Sequence, residues 1–462
     1  MSMKKLLIFA ISFIMLLTAI PVVEADAAYN SLLETLKPRA DIILLQSLED
    51  DTIIFEKNIN ERTPPASLTK IVTAILTLEN CENVETMVVV PEYVIDMLKN
   101  TNSSNAGLKA GEIISVNDLL HCMLIPSANE AAATLADYIG GGSIEKFVEM
   151  MNTFVKRIGC NDTHFVNPHG LDEEDQYTTA SDMAKIAKYA MTFSKSELFD
   201  EITSLKSYTL PESNMNESRT LRNTNFLMNS GYAEYYCKYV TNGKTGSTSR
   251  AGKCVVAKAS RNGYSYLAVI MKAPHDDIDF DGYDENGAFT DGKMLFEWTF
   301  EHIRYEAVMS AAEAVVEVPV NYSEKTDHLV LLPIEDLYAF VPSGVGEDSV
   351  LVEVVEGSMP ESVDAPIEKG EVIGQAAVYY AGQEIARTDL VAAESIDRNV
   401  FLFIWAKIKV VASNAVFKVF AVLIAILVAA YIALIIFRNR QRREYMKKKN
   451  RMKVVNLKDF KD

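Results

Sequence analysis

Nineteen residues, Val419–Phe437, carry neither a charge nor a proline, and Arg438, Arg440, Arg442, Arg443, Lys447, Lys448 and Lys449 follow at once. As a helix such a run just crosses the ~30 Å hydrocarbon layer of a membrane. A buried core helix is the competing reading. The basic cluster removes it, because a centrally placed Lys or Arg costs ~3 kcal/mol in lipid and so stays at the surface. Positive charge beside a span is retained in the cytoplasm, so residues 438–462 are expected inside the cell and the body outside. The preceding stretch, residues 396–418, is then juxtamembrane. Within it Val400–Phe417 is apolar, carries Trp405, Lys407 and Lys409, and can lie along the outer membrane surface.

Charge supports this polarity. The chain of 462 residues has a net charge of −18, from 45 basic and 63 acidic side chains, which argues against a nucleic-acid partner. The last 25 residues hold 11 Lys/Arg against 3 Asp/Glu, and the first 27 are balanced, so the body between them carries −26. The first residues read Met-Ser-Met-Lys4-Lys5, then an uncharged run from Leu6 to Val23, then Ala25-Asp26-Ala27. That is the pattern of a secretory signal cleaved after Ala27, with an uncleaved anchor as the alternative. The five cysteines (Cys81, Cys122, Cys160, Cys237, Cys254) have neither framework nor metal-like spacing, so no metal or cofactor is expected.

Within the exported part, Ala40–Leu48 and Thr52–Lys57 are strand-like runs joined by Glu49-Asp50-Asp51. Thr63-Pro64-Pro65-Ala66 ends them and opens a helix in which Ile71, Ala74, Ile75 and Leu78 share a face. The pattern is then mostly helical from Val116 to about Met191, including Glu130–Ile139, Ser143–Ile158 and Ser181–Met191. Strands return after Tyr239, where Cys254–Ser260 and Tyr264–Lys272 flank the hairpin turn Asn262-Gly263. A helix over Gly292–Tyr305 closes a domain expected to span residues 28–305. Strands at both ends with helices between predict one sheet assembled from the two termini and covered by helices. From Ala307 short Val-rich runs (Ala314–Val320, Ser349–Val355, Glu371–Tyr380) alternate with Pro, Gly and acidic turns, predicting a small β-domain over residues 306–395.

Three short motifs carry chemistry in this setting: Ser67-Leu68-Thr69-Lys70, Ser127-Ala128-Asn129 and Lys244-Thr245-Gly246. Each recurs by chance in proteins. Ser143 begins a second Ser-x-x-Lys here and reads as a helix N-cap. Order and setting discriminate: the first motif opens a helix, the second precedes one, and the third leads into a strand. Ser67 and Lys70, at i and i+3, lie on one helix face, so the amine reaches the hydroxyl. To act as a base Lys70 must be neutral near pH 7, against an ordinary pKa of ~10.4, a difference of ~4 kcal/mol. Burial, a second cation and the positive end of a helix all push that way.

The set resembles the penicillin-recognising serine hydrolases. Phe147–Asn152, Asn167-Pro168-His169-Gly170-Leu171-Asp172, Thr179–Ala184 and Asn223-Thr224-Asn225 narrow the likeness to the low-molecular-weight D-alanyl-D-alanine carboxypeptidases, and Ala365–Leu390 resembles that family's C-terminal domain. Two departures stand out: Ala128 where the family usually has Gly, and a spanning segment where it commonly ends in an amphipathic surface helix. The resemblance implies an α/β (α+β) domain of the β-lactamase/transpeptidase type with the small all-β domain beyond it, and the apolar run adds one transmembrane helix. It implies a Ser67 acyl-enzyme, Lys70 as base, Ser127 as proton relay and Asn129 on the substrate amide. It places Lys244, Thr245, Gly246 and Ser247 on the substrate, the first two at its terminal carboxylate, with the N–H groups of Ser67 and Ser247 as the oxyanion hole. The implied substrate is the peptidoglycan stem peptide, and β-lactams are the implied covalent inhibitors. Arg250 is a weak candidate for further carboxylate binding; His169 and Asp172 read as loop-shaping residues, and Cys122 as a buried small hydrophobe. A β-lactamase and a catalytically silent wall-binding protein on the same fold are the rivals; no Glu-x-x-Leu-Asn stretch of the class A β-lactamases lies between Asn129 and Lys244.

Overall fold

A computed structural model describes residues 36–276 and 285–458, with side chains to 449. The signal-sequence expectation, residues 1–27, lies outside the described residues. The chain divides into two compact units: residues up to Glu306 with Ala339–Ser349 and Tyr380–Gln383, and the remainder.

The first unit is organised by the period-2 alternation of its strands. β1 (Ile42–Ser47) and β2 (Ile53–Lys57) come from one end of the unit. Short pairs, β3 (Met87–Val89) with β4 (Ile113–Ser115) and β5 (Ser207–Leu210) with β6 (Arg219–Arg222), brace the middle. From the other end come β7 (Val240–Thr248), β8 (Gly252–Arg261) and β9 (Tyr264–Ala273). The main sheet runs β2-β1-β9-β8-β7, and β1 lies antiparallel to β9 with Leu44 opposite Val269. The two ends of the unit therefore meet in one sheet, as the sequence predicts. The β8–β9 turn is the two-residue one expected, with Asn262 at φ 55° and Gly263 at φ 90°.

β1 is buried along its whole length, so it must satisfy two cores at once. Ile42 and Leu44 enter one core with Leu267, Val269 and Met271 of β9, while Ile43 and Leu45 enter the other with Tyr266, Ala268 and Ile270. Each such side chain stabilises by roughly 1.5–3 kcal/mol when removed from water. Helices fill the first core: α1 (Lys70–Asn80), α2 (Glu92–Leu98), α3 (Val116–Leu124), α4 (Asn129–Ile139), α5 (Ile144–Arg157), α6 (Ala180–Thr192) and α7 (Ser196–Ser204). α1 and α4 are buried over Lys70–Leu78 and Asn129–Ala136, the alanines of α4 allowing close approach. α8 (Gly287–His302) covers the second core with Leu295, Phe296 and Phe300. It begins before the expected Gly292 because Asn286 caps it, its Oδ1 accepting from Ala288 N at 3.1 Å. It ends before the expected Tyr305 because Ile303–Met309 is a strand.

The second unit holds a six-stranded sheet in the spatial order Leu351–Val354, Val372–Tyr380, Gln383–Ala392, His328–Pro333, Val316–Asn321, Val363–Asp364. Its core includes Val318, Leu329, Leu331, Val378 and Leu390. α9 (Val400–Ser413) follows, capped by Asn399, whose Oδ1 accepts from Phe401 N and Leu402 N. After Asn414 comes α10 (Ala415–Lys458), 44 residues and so about 66 Å long. Its apolar stretch is long enough to cross a membrane, and none of that stretch is buried within the chain. All five cysteines are buried free thiols.

Candidate active site

Ser67 lies in a 3₁₀ turn, Ala66–Thr69, that leads into α1, so its hydroxyl sits one turn before the helix proper. Ala66 takes φ 49°. A left-handed alanine costs about 1–2 kcal/mol and persists only where its neighbours over-determine it. Those neighbours are two glycines. A Cβ on Gly246 would lie 3.0 Å from Ala66 Cβ and 3.2 Å from Ser67 N. A Cβ on Gly170 would lie 1.8 Å from Ala66 O. The third residue of the Lys-Thr-Gly motif is thus a glycine for space, because β7 presses against the nucleophile's backbone.

Lys70 is completely buried, and its Nζ has three neighbours: Ser67 Oγ at 2.8 Å, Asn129 Oδ1 at 2.6 Å and the His169 carbonyl at 2.6 Å. The two carbonyl oxygens can only accept. A neutral amine has two protons and one lone pair, so its protons go to Asn129 and His169 and its lone pair faces the Ser67 hydroxyl. Burial, and then the charge of Lys244, hold the Lys70 ammonium well below the usual lysine range. Lys244 is 1% exposed, and burial pulls it to about 7. Its Nζ donates to Ser127 Oγ at 2.9 Å and to the Thr245 carbonyl at 2.8 Å. Ser127, like Ala66, is left-handed, at φ 66°.

The structure therefore joins Ser67 and Asn129 through Lys70, and Ser127 to Lys244, in two hydrogen-bonded groups close enough for the Lys244 charge to act on Lys70, with Thr245, Gly246 and Ser247 continuing along β7. Ser127 bonds to Lys244, and the Asn129 carbonyl oxygen is engaged by Lys70, which leaves the Asn129 amide protons as its donors. Ala128 is buried at φ −60°, a conformation any L-residue adopts, so the methyl in place of the family's glycine is accommodated. Ser143 is the N-cap it reads as, accepting from Lys146 N at 3.3 Å.

Sequence reasoning missed the contribution of the loop at residues 167–172. His169 holds Lys70 through its main chain, while burial and then Lys70 push its buried ring down to about 3, leaving it neutral. Its wall of the site also borders a cavity of about 910 Å³ lined by Tyr93, Leu98, Thr101 and Asn152. Asp172 accepts from Thr248 Oγ1 at 2.7 Å and Arg250 N at 3.3 Å, clasping this loop to the end of β7. Arg250 itself is exposed and donates to the Glu173 carbonyl.

A serine hydroxyl hydrogen-bonded to a buried lysine, beside a second buried lysine on an edge strand, defines a serine acyl-transfer enzyme. Residues 32–275 match the peptidase family described as D-alanyl-D-alanine carboxypeptidase, and residues 305–398 match the C-terminal domain of penicillin-binding protein 5. The chain belongs to this D-alanyl-D-alanine carboxypeptidase family. It is 28% identical to the D-alanyl-D-alanine carboxypeptidase DacF of Bacillus subtilis over 400 residues, 87% of this chain and 96% of that protein. Among solved structures it resembles penicillin binding protein 5 from Haemophilus influenzae, at 26% identity and a TM-score of 0.56, covering 78% of this chain and 98% of the other. The fold is also that of the D-alanyl-D-alanine carboxypeptidase DacD from Francisella tularensis, with a TM-score of 0.60 over 78% of this chain and 94% of that one, at 24% identity.

Proposed function

We propose that this chain is a serine-type D-Ala-D-Ala carboxypeptidase that removes the terminal D-alanine from peptidoglycan stem pentapeptides, and that β-lactams acylate the same serine. The observation that carries the reading is the 2.8 Å hydrogen bond between the buried Lys70 Nζ and Ser67 Oγ. In this mechanism Lys70 accepts the Ser67 proton as Oγ attacks the carbonyl of the penultimate D-alanine. The N–H groups of Ser67 and Ser247 receive the developing oxyanion, where one donor is worth roughly 3 kcal/mol. Lys244 and Thr245 hold the terminal carboxylate, and the Asn129 amide steadies the peptide on the other side of the scissile bond. The C–N bond breaks, the proton taken by Lys70 returns to the departing amine by way of Ser127, and D-alanine leaves. Lys70 then activates a water that hydrolyses the Ser67 ester and restores the enzyme.

We place the catalytic domain at residues 28–305 and the β-domain at 306–395. The helix around Val419–Phe437 anchors them outside the cell membrane, with the tail from Arg438 cytoplasmic. The length and hydropathy of α10 and the basic cluster support this anchoring.

Full-length protein in detergent should release D-alanine from a stem pentapeptide and leave the tetrapeptide product intact. Ser67→Ala should abolish both this release and covalent labelling by penicillin. Rapid penicillin hydrolysis with an untouched pentapeptide would instead make the protein a β-lactamase.

A further inference from the structure

The carboxylate end of the site contains a hydroxyl that the mechanism above does not use. Thr224 Oγ1 lies 2.5 Å from Thr245 Oγ1, the closest contact either hydroxyl makes among the described residues. Two hydroxyls at that distance share one proton, so one donates and the other accepts. A carboxylate has no proton to give and can only accept. Thr245 therefore binds it only when its own proton is free, which requires Thr224 to be the donor of the pair. With Thr224 donating, a Thr245 lone pair is occupied and its O–H turns outward. An ambivalent hydroxyl becomes an obligate donor.

The backbone around Thr224 is built to hold it there. Asn223 Oδ1 accepts from Asn225 N at 2.8 Å, and Asn223 Nδ2 donates to the Leu205 carbonyl at 2.7 Å. Asn225 is 1% exposed, and its Oδ1 accepts from Leu227 N at 3.2 Å. Thr224 N donates to the Ile125 carbonyl at 3.2 Å, tying the segment to the wall that carries Ser127. Asn223 spends both side-chain atoms on the main chain, and Asn225 its Oδ1. The threonine between them keeps its hydroxyl for β7.

We propose that Thr224 is a specificity-determining positioning residue: it polarises Thr245 as a donor and so sets the preference for a substrate ending in a free carboxylate. This rests on the carboxypeptidase reading for the identity of the substrate, and on geometry alone for the hydroxyl pair. Its removal acts on binding of the terminal carboxylate and leaves the Ser67–Lys70 pair in place, so the loss belongs in KM.

The test uses the full-length protein in detergent, with Thr224→Val, Thr224→Ala, Thr224→Ser, Thr245→Val and the Thr224→Val/Thr245→Val double variant. Substrates are a stem pentapeptide with a free C-terminal carboxylate and the same peptide amidated. Thr224→Val and Thr224→Ala should each raise KM for the free acid about tenfold, with kcat within about threefold. Preference for acid over amide should narrow by a similar factor, and Thr224→Ser should restore both. The loss in the double variant should not exceed that of Thr245→Val, because the two report one contact. An unchanged preference in Thr224→Ala, a Thr224→Ser variant as impaired as Thr224→Val, or additive losses would overturn the proposal. Should the wild type release no D-alanine, the carboxypeptidase reading fails by itself. Acylation by penicillin, which carries its own carboxylate, then decides on Thr224: about a tenfold slower rate in Thr224→Val, restored in Thr224→Ser, sustains it, and an unchanged rate overturns it.

Discussion

Gly170 is the residue through which the site can be disturbed with least change in chemistry. It takes φ +90°, and a Cβ there would lie 1.8 Å from Ala66 O, 2.4 Å from Ala66 C and 3.0 Å from Ser67 N. Ordinary contact begins near 3.4 Å, so the main chain at residues 66–67 must retreat by about 1.6 Å. That segment carries the proposed nucleophile and one proposed oxyanion donor, and a displacement of ~1 Å at reacting atoms is enough for ~10²-fold in rate. Gly142 supplies the control: it also takes φ +90°, with nothing within 4 Å of its missing Cβ. Gly142→Ala should pay only the left-handed strain, about 1–2 kcal/mol, and acylate at the wild-type rate. Gly170→Ala should pay similar strain and acylate at least ~100-fold more slowly. The assay is the second-order rate of labelling by a fluorescent penicillin, with thermal denaturation of both variants. Labelling of Gly170→Ala within about threefold of Gly142→Ala would refute the steric reasoning, because the clash would then have been absorbed away from Ser67.

Two further outcomes are expected. Acylation should follow a bell-shaped pH profile: it rises as Lys70, held below the usual lysine range, loses its proton, and falls as Lys244 loses its own at about 7. Lys244→Arg, which stays charged, should abolish the alkaline limb, and Lys244→Gln should move the acid limb to higher pH by removing the charge that depresses Lys70. A limb that stays in place in Lys244→Arg would assign it to another group. For the anchor, protease added to cells stripped of their wall should remove the body and leave a small fragment from Arg438 onward, and digestion of a tail epitope from outside would overturn the orientation.

The legible parts of this protein are those where a local pattern and a global demand coincide. Ile42–Leu45 and Leu267–Met271 are continuous apolar runs because each strand serves two cores, and Asn262-Gly263 is legible because few other pairs accept two left-handed residues in succession. Ser67, Lys70, Ser127, Asn129 and Lys244 are legible because their chemistry restricts the residue type. Main-chain contributions are hidden, since any residue has a carbonyl: nothing in the letter His announces that the His169 main chain holds Lys70. Side chains acting across long separations are hidden too. Nothing in the sequence pairs Asp172 with Thr248, or Thr224 with Thr245, until the fold sets them 2.7 Å and 2.5 Å apart. Gly170 and Gly246 carry a trace of their role, because each belongs to a motif. The reason, space beside Ala66 and Ser67, exists only in three dimensions.

The two buried lysines explain why the site works as a pair. Burial lowers the pKa of both, but their surroundings differ. Lys70 faces two oxygens that only accept and one hydroxyl that must give up its proton, an environment complete for a neutral amine. Lys244 faces Ser127 and its own neighbour's carbonyl, which satisfies two of the three donors of an ammonium. Among the described residues the third has no acceptor. In the proposed mechanism the substrate's carboxylate completes that shell and favours the charged form of Lys244, the form that depresses Lys70. Binding the right end of the peptide therefore helps keep the base deprotonated, so recognition and activation are two effects of a single charge. A substrate without a terminal carboxylate forfeits both, which is why amidation should reach kcat as well as KM in the wild-type enzyme.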